Sequence, residues 1–175
     1  MLWLWLFNPK LGLINTALHS IGIRYNPGWL GDPSWAMPAL ILMSFWGVGN
    51  TVIIYLAGLQ DVPRELYEAA ELDGAGSWQK TVHVTLPAIS PVIFFNLIMA
   101  IIGSVQSFGT PFIMTPNGGP DRATYFYTVR LYDEAFSYLK MGEASAMAWI
   151  QLFIVLILTG IAFWTSKRWV HYQGD

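Results

Sequence analysis

Glu65, Glu68 and Glu71 recur at three-residue spacing beside Leu66, Ala69 and Ala70, so one short helix would carry a carboxylate stripe next to a face of small residues. Pro63 suits the first helical position, Arg64 to Leu72 are good helix formers, and Gly74 can take the left-handed conformation that ends a helix. A helix and tight turn of this kind are shaped to dock another protein closely, although a solvated connector with its acids facing water fits the helical pattern equally well. The carboxylates have no paired base, and no Gly-x-Ser-x-Gly elbow occurs, so no catalytic residue is assigned. None of Lys10, Lys80, Lys140 or Lys167 follows a glycine, which rules out a Gly-Lys-Ser/Thr phosphate loop. Gly74-Ala75-Gly76 follows no strand and has Gln79 where a dinucleotide loop needs its third glycine. His19, His83 and His171 are too far apart for local metal-ligand spacing and there is no cysteine, so no metal and no cofactor are expected. A net charge of −2 without a basic stripe argues against nucleic acid as a partner.

The elements that must position this helix are apolar. Hydrophobic residues make up 54% of the chain and charged ones only 11%, against about a quarter charged in soluble domains. The charges are segregated, leaving three charge-free stretches at about 35–58, 86–113 and 144–166. Each exceeds the ~20 residues needed to cross ~30 Å of hydrocarbon, so they are expected to be transmembrane helices in lipid rather than buried core helices of a soluble protein. Pro38, Pro87 and Pro91 lie near span starts, and Trp35, Trp164 and Trp169 near ends, where interfacial anchors belong. Met1 to Phe7 reads as the tail of a helix rather than a signal peptide. Asn8–Pro33 and Pro116–Asp121 read as turn-rich extramembrane loops.

Three crossings put loop 61–85 on the side of the carboxyl tail, opposite Asn8–Pro33 and Pro111–Glu143. Lys and Arg number four on the first side and five on the other, so the positive-inside rule is indecisive, although Lys167-Arg168 beside a span favour a cytoplasmic tail. Inside the spans, Asn50, Asn96, Ser104, Gln106, Ser107 and Gln151 are the polar side chains to consider first for a solute pathway; interhelical hydrogen bonding is as good a role for any one of them.

The helix and turn belong to a longer pattern: Glu68-Ala69-Ala70, three residues, Gly74, nine residues, then Val84-Thr85-Leu86-Pro87. It resembles the signature loop of the membrane subunits of binding-protein-dependent ABC importers, with Val84 where isoleucine is usual. The flanks Trp5-Leu6-Phe7-Asn8-Pro9, Gly12-Leu13-Ile14-Asn15, Leu56-Ala57-Gly58-Leu59-Gln60, Asn117-Gly118-Gly119-Pro120, Ala135-Phe136 and Ala144-Ser145-Ala146 are similar to the carbohydrate branch, which includes the maltose and glycerol-3-phosphate permeases.

The resemblance implies an all-α integral membrane fold, with residues 1–175 forming one partial transmembrane domain. Its parts would be three transmembrane helices and a short cytoplasmic coupling helix in loop 61–85, a portion of a six-helix type I core beginning at the outer end of the third helix. It implies a multi-pass protein of a bacterial or archaeal inner membrane, with the tail from Lys167 cytoplasmic. Helix Pro63–Asp73 would sit in a cleft of a separate ATPase, with Glu68 as the main polar contact, Ala69 and Ala70 permitting close approach, Asp73 capping or bracing the turn and Gly74 supplying its backbone angle. Sugar contacts would fall at Met43, Trp46, Gly47 and Asn50, and at Ser104 and Ser107 with Gln106 between them, on helical faces set by three- and four-residue repeats. Implied partners are an ATPase dimer, a second permease subunit in a heterodimer, a periplasmic or lipid-anchored solute-binding protein, membrane lipid and a sugar-like solute. A passive channel or structural membrane subunit, and a non-functional remnant, are the rival readings.

Overall fold

In the computed structural model, which describes residues 2–171, helices and turns account for every regular element, with no strand among the described residues. In chain order the α-helices are α1 (Leu2–Leu6), α2 (Leu13–Ser20), α3 (Pro33–Phe45), α4 (Val48–Gln60), α5 (Arg64–Leu72), α6 (Ser77–Lys80), α7 (Leu86–Ala88), α8 (Ser90–Val105), α9 (Gly109–Met114), α10 (Tyr127–Tyr132) and α11 (Met141–Ser166). Wider π-type turns join α6 to α7 at Thr81–Thr85 and follow α10 at Asp133–Ser137.

Three stretches are long and apolar enough to cross a membrane: Pro33–Gln60, Ser90–Met114 and Met141–Ser166, of 28, 25 and 26 residues with mean hydropathy 1.8, 1.8 and 2.3. These stretches overlap the expected 35–58, 86–113 and 144–166 but differ from them in ends and continuity. The first begins at Pro33, because the Asp32 carboxylate accepts the Ser34 N–H at 2.8 Å and caps the helix, which leaves Pro38 inside it. Its helical ladder is interrupted at Trp46-Gly47, where i→i−3 bonds to Met43 O and Ser44 O replace the α-helical pattern. The second is not continuous either: α8 stops at Val105 and α9 starts at Gly109. The third starts at Met141, so Glu143 lies in its first turn. Of the expected tail from Lys167, residues 172–175 lie outside the described residues.

The chain divides into two compact units, one comprising Met1–Gly47 with Val105–Gln151 and the other Val48–Ser104 with Leu152–Asp175. In the first, the turn-rich segment Asn8–Pro33 is folded rather than extended. It contains α2, and Trp29 is buried, 6% exposed, beside Phe7 at 1%, packed with Ala39, Trp3 and Trp35, while Tyr25 stays exposed. Asn15 pins this segment, donating to Pro9 O at 3.0 Å and Pro27 O at 3.4 Å and accepting the Trp29 indole N–H at 2.7 Å. Such a buried amide is stable because each of its partners is supplied from within the segment.

The second unit is held by close helix contact and by stacked aromatics. A Cβ added at Gly58 of α4 would lie 2.8 Å from Val92 Cγ2 of α8, so the two backbones approach there as only a glycine allows. Phe94 is buried with its ring edge-on to Phe163 at 4.9 Å and to Trp169 at 6.0 Å. Ser90 Oγ accepts the His171 N–H at 2.9 Å, tying the end of the described chain to the start of α8.

Candidate functional site

Within the second unit, loop 61–85 folds as a short helix braced on the turn that follows it. Pro63 is the residue before α5 rather than its first, with extended ψ of 132°, and Val62 beside it is buried. At the other end Gly74 has φ of +78°. The Ala75 N–H reaches Ala70 O at 2.9 Å and the Gly74 N–H reaches Glu71 O at 3.0 Å, so orphan carbonyls of α5 are satisfied by a Schellman turn. Two side-chain bonds then fasten α5 to the next elements. Tyr67 Oη lies 2.9 Å from Thr85 Oγ1, and Lys80 Nζ donates to Glu71 at 2.7 Å. That hydrogen bond, and then the ammonium charge, hold the Glu71 carboxyl below the usual glutamate range.

The expected stripe of three acids is therefore divided. Glu71 is engaged inside the loop, while Glu65 and Glu68 stay exposed. Ala69, Ala70, Asp73 and Gly74 all line one groove of about 470 Å³ together with Leu66, Ala75, Gln79, His83 and Val84, and Glu68 stands outside it. Asp73 sits at the helix C-cap, its N–H bonded to Ala69 O. Around the groove the loop exposes large apolar side chains, with Leu72 91% and Trp78 78% accessible. On a loop otherwise polar, such a patch marks an interaction surface.

The expected pathway residues fall in both units. In the first, Met43 packs against the Phe7–Trp29 cluster, and Trp46, 81% exposed, lies edge-on to Trp3 at 6.2 Å with Gly47 beside it at the helix interruption. Gln106 and Ser107 lie in the break between α8 and α9, so the expected helical face shared by Ser104 and Ser107 does not exist. The break persists because side chains take its freed carbonyls: the Thr128 hydroxyl donates to Ser107 O and the Gln151 amide donates to Val105 O at 3.1 Å. Irregular backbone at membrane depth is tolerable only with such satisfaction. In the second unit Asn50 is exposed on α4, Ser104 bonds back to Ile101 O, and Asn96 bonds back to Val92 O at 2.9 Å. Neither of these last two bonds an adjacent helix.

The family model described as "Binding-protein-dependent transport system inner membrane component" matches residues 1–170. The chain belongs to this family. It is 43% identical to a probable ABC transporter permease protein, YesP, of Bacillus subtilis (strain 168) over 93% of its own length and 53% of that protein's. It is 34% identical to the diacetylchitobiose uptake system permease protein NgcF of Streptomyces coelicolor, over 100% of its length and 50% of the relative's. Among solved structures, the bacterial alginate ABC transporter in complex with an alginate pentasaccharide-bound periplasmic protein superposes with a TM-score of 0.83 at 25% identity, covering 95% of this chain and 58% of that one. The chain spans about half the length of the curated relatives it matches.

This permease chain is thus a multi-pass membrane protein and a transport component rather than an enzyme. Its bracing residues Tyr67, Lys80 and Thr85 escaped the sequence reading because their partners lie 18, 9 and 18 residues away across the glycine turn, beyond helical spacing rules. Thr128 escaped for the same reason, 21 residues from the carbonyl it covers, whereas Gln151, named among the polar side chains of the spans, makes a bond between helices to Val105 O, 46 residues away.

Proposed function

We propose that this permease is a membrane-spanning subunit of a binding-protein-dependent ABC importer, forming part of the translocation pathway for a sugar or sugar-like solute. Loop 61–85 and the tail from Lys167 face the cytoplasm, and ATP hydrolysed on a separate ATPase dimer drives the cycle. The observation that carries the reading is the braced helix α5 with its groove of small residues and its bare Leu72 and Trp78, a rigid knob with an apolar face awaiting a partner. Glu68 offers the polar contact, Ala69 and Ala70 the close approach, and Asp73 with Gly74 the turn. Closure of the ATPase would move this knob as a rigid body and reorient the helices attached to it.

The remaining partners follow from the same reading: a second permease subunit to complete the pathway, and a periplasmic or lipid-anchored solute-binding protein to deliver the solute. Met43, Trp46, Gly47, Asn50, Ser104, Gln106 and Ser107 are proposed as pathway positions, the exposed Trp46 ring offering a flat apolar surface to a sugar face. The deciding experiment is Glu68→Lys in the importer assembled with its partner subunits. Solute-stimulated ATP hydrolysis and uptake should be abolished while membrane insertion is unchanged; normal stimulation would overturn the coupling assignment.

A further inference from the structure

The first unit carries a cavity of about 360 Å³ lined by Pro9, Lys10, Asn15, Thr16, His19 and Asn26. The buried Asn15 amide sets its width, because Lys10 and Asn26 each adjoin in the chain a carbonyl that this amide holds, Pro9 O and Pro27 O. Asn8 Oδ1 fixes the turn that bears Lys10 by accepting the Lys10 and Leu11 N–H groups at 2.9 and 3.0 Å. Asn26 Oδ1 accepts the His19 Nε2 proton at 2.7 Å, so the Asn26 amide protons remain to donate. The Lys10 ammonium has no carboxylate at ion-pair distance among the described residues. Residues 1–31 contain Lys10 and Arg24 but no Asp or Glu.

The same segment exposes apolar side chains beside a membrane span. Leu11 is 75% and Ile21 71% exposed, and Leu13, Ile23 and Tyr25 are exposed with them. Along α2, Ile14 and Leu18 pack on the Phe7–Trp29 cluster, whereas Leu13, Ala17 and Ile21, at four-residue spacing, form a face left without cover. Tyr25 Oη accepts the Trp35 indole N–H at 3.3 Å, and Trp35 stands in the first turn of Pro33–Gln60, so the segment is tied to the end of that span. Tyrosine and tryptophan at a span end mark the headgroup level. A basic, acid-free segment with an apolar face at that level suits an anionic lipid surface.

We propose that this cavity binds the headgroup of an anionic, hydroxyl-bearing phospholipid of the phosphatidylglycerol type, with α2 lying in the bilayer interface. Lys10 meets the phosphodiester. The Asn26 amide donates to the headgroup hydroxyls, and Thr16 Oγ1, whose proton goes to Gly12 O, accepts from them. Leu11, Leu13 and Ile21 enter the acyl boundary. The inference requires only that Pro33–Gln60 crosses a bilayer, and it stands whether or not α5 couples to an ATPase.

The chain has no cysteine, so a bimane fluorophore attached at Ala17→Cys before assembly reports from the exposed face of α2 without removing a polar group. In the assembled membrane complex reconstituted into phosphatidylcholine bilayers, brominated phosphatidylglycerol as the minor lipid should quench this label more than brominated phosphatidylcholine at the same fraction. Lys10→Gln removes an exposed charge without touching the core, and it should cut that preference about fivefold, the effect of one basic group at an anionic surface. Lys10→Arg should keep the preference, and Arg24→Gln, outside the cavity, should lower it less. Equal quenching by the two lipids, or a loss in Lys10→Gln no larger than in Arg24→Gln, would overturn the proposal. Removal of the preference by soluble glycerol phosphate would assign the cavity to a free phosphate ester, and no quenching by either lipid would show α2 covered by protein; each result would overturn the lipid site.

Discussion

Gly74→Ala isolates the contribution of one backbone angle to the turn that ends α5. The residue stands at φ of +78°, and a Cβ built there meets nothing within 4 Å, so the substitution has no steric cost beyond the left-handed conformation itself. That conformation costs an ordinary L-residue roughly 1–2 kcal/mol and asparagine or aspartate less. At about 1.4 kcal/mol per factor of ten, the Schellman turn should open about 5- to 30-fold more often in Gly74→Ala and much less so in Gly74→Asn. Hydrogen exchange on a peptide covering residues 68–80 reads this, because the Gly74 and Ala75 amides are the donors of the turn. Equal protection of the alanine and wild-type chains, or equal loss in alanine and asparagine, would refute the argument that the backbone angle governs this position. Gly74→Asp separates angle from contact: aspartate tolerates the angle as asparagine does, so if it preserves the turn yet abolishes ATPase coupling, the added charge has disrupted a surface that binds a partner.

Asn15→Leu should loosen the amino-terminal segment by on the order of 2–5 kcal/mol, since it strands the Trp29 indole N–H and two backbone carbonyls in a buried site; tryptic cleavage after Arg24 should accelerate, and an unchanged rate would contradict the role given to Asn15. Tyr125 is pushed up to about 12, first by burial and then by its 2.8 Å hydrogen bond to Asp133 and that carboxylate's charge. The fold therefore favours the neutral phenol, and the stabilisation is complete below the ordinary tyrosine value of ~10 and is lost as pH rises from there through about 12. An absorbance titration should show a late phenolate that Tyr125→Phe removes and Asp133→Asn shifts partway down; a curve that Tyr125→Phe leaves unchanged above the ordinary tyrosine range would refute it.

What could be read from the sequence was what local composition dictates. Absence of charge over twenty or more residues located each span, and Pro63, the helix formers and Gly74 located α5 within a residue at each end. The helix breaks were hidden because no proline stands at Trp46-Gly47 or at Gln106–Phe108, and the second break is stabilised by Thr128 and Gln151 from distant segments. The packing of segment Asn8–Pro33 was hidden for a different reason. Its glycines, prolines and asparagines are turn residues, yet Asn15 and Trp29 close it into a core whose pairing carries no periodic signal. Of the candidate site, Ala69, Ala70, Asp73 and Gly74 stood out in the sequence and share one groove, whereas Gln79 and His83 reach it only through the turn at Gly74.

The lever role proposed for this loop requires that displacement at its tip not be absorbed on the way to the spans, and particular bonds supply that stiffness. Residues 73–76 alone would be a flexible turn, and a push on Ala69 or Ala70 would bend it. The Glu71–Lys80 pair carries force across that turn at 2.7 Å, and Tyr67–Thr85 carries it to the residue immediately before α7. Lys80 is the last residue of α6 and Thr85 the last of the π-type turn, so both bonds end on the segment that runs directly into α7 and then α8. The ion pair alone would be a poor strut, because it is exposed and water screens it. The Tyr67–Thr85 bond is partly buried and joins two side chains with few rotatable bonds, and it is therefore the stiffer connection between α5 and the segment that leads into α7 and α8.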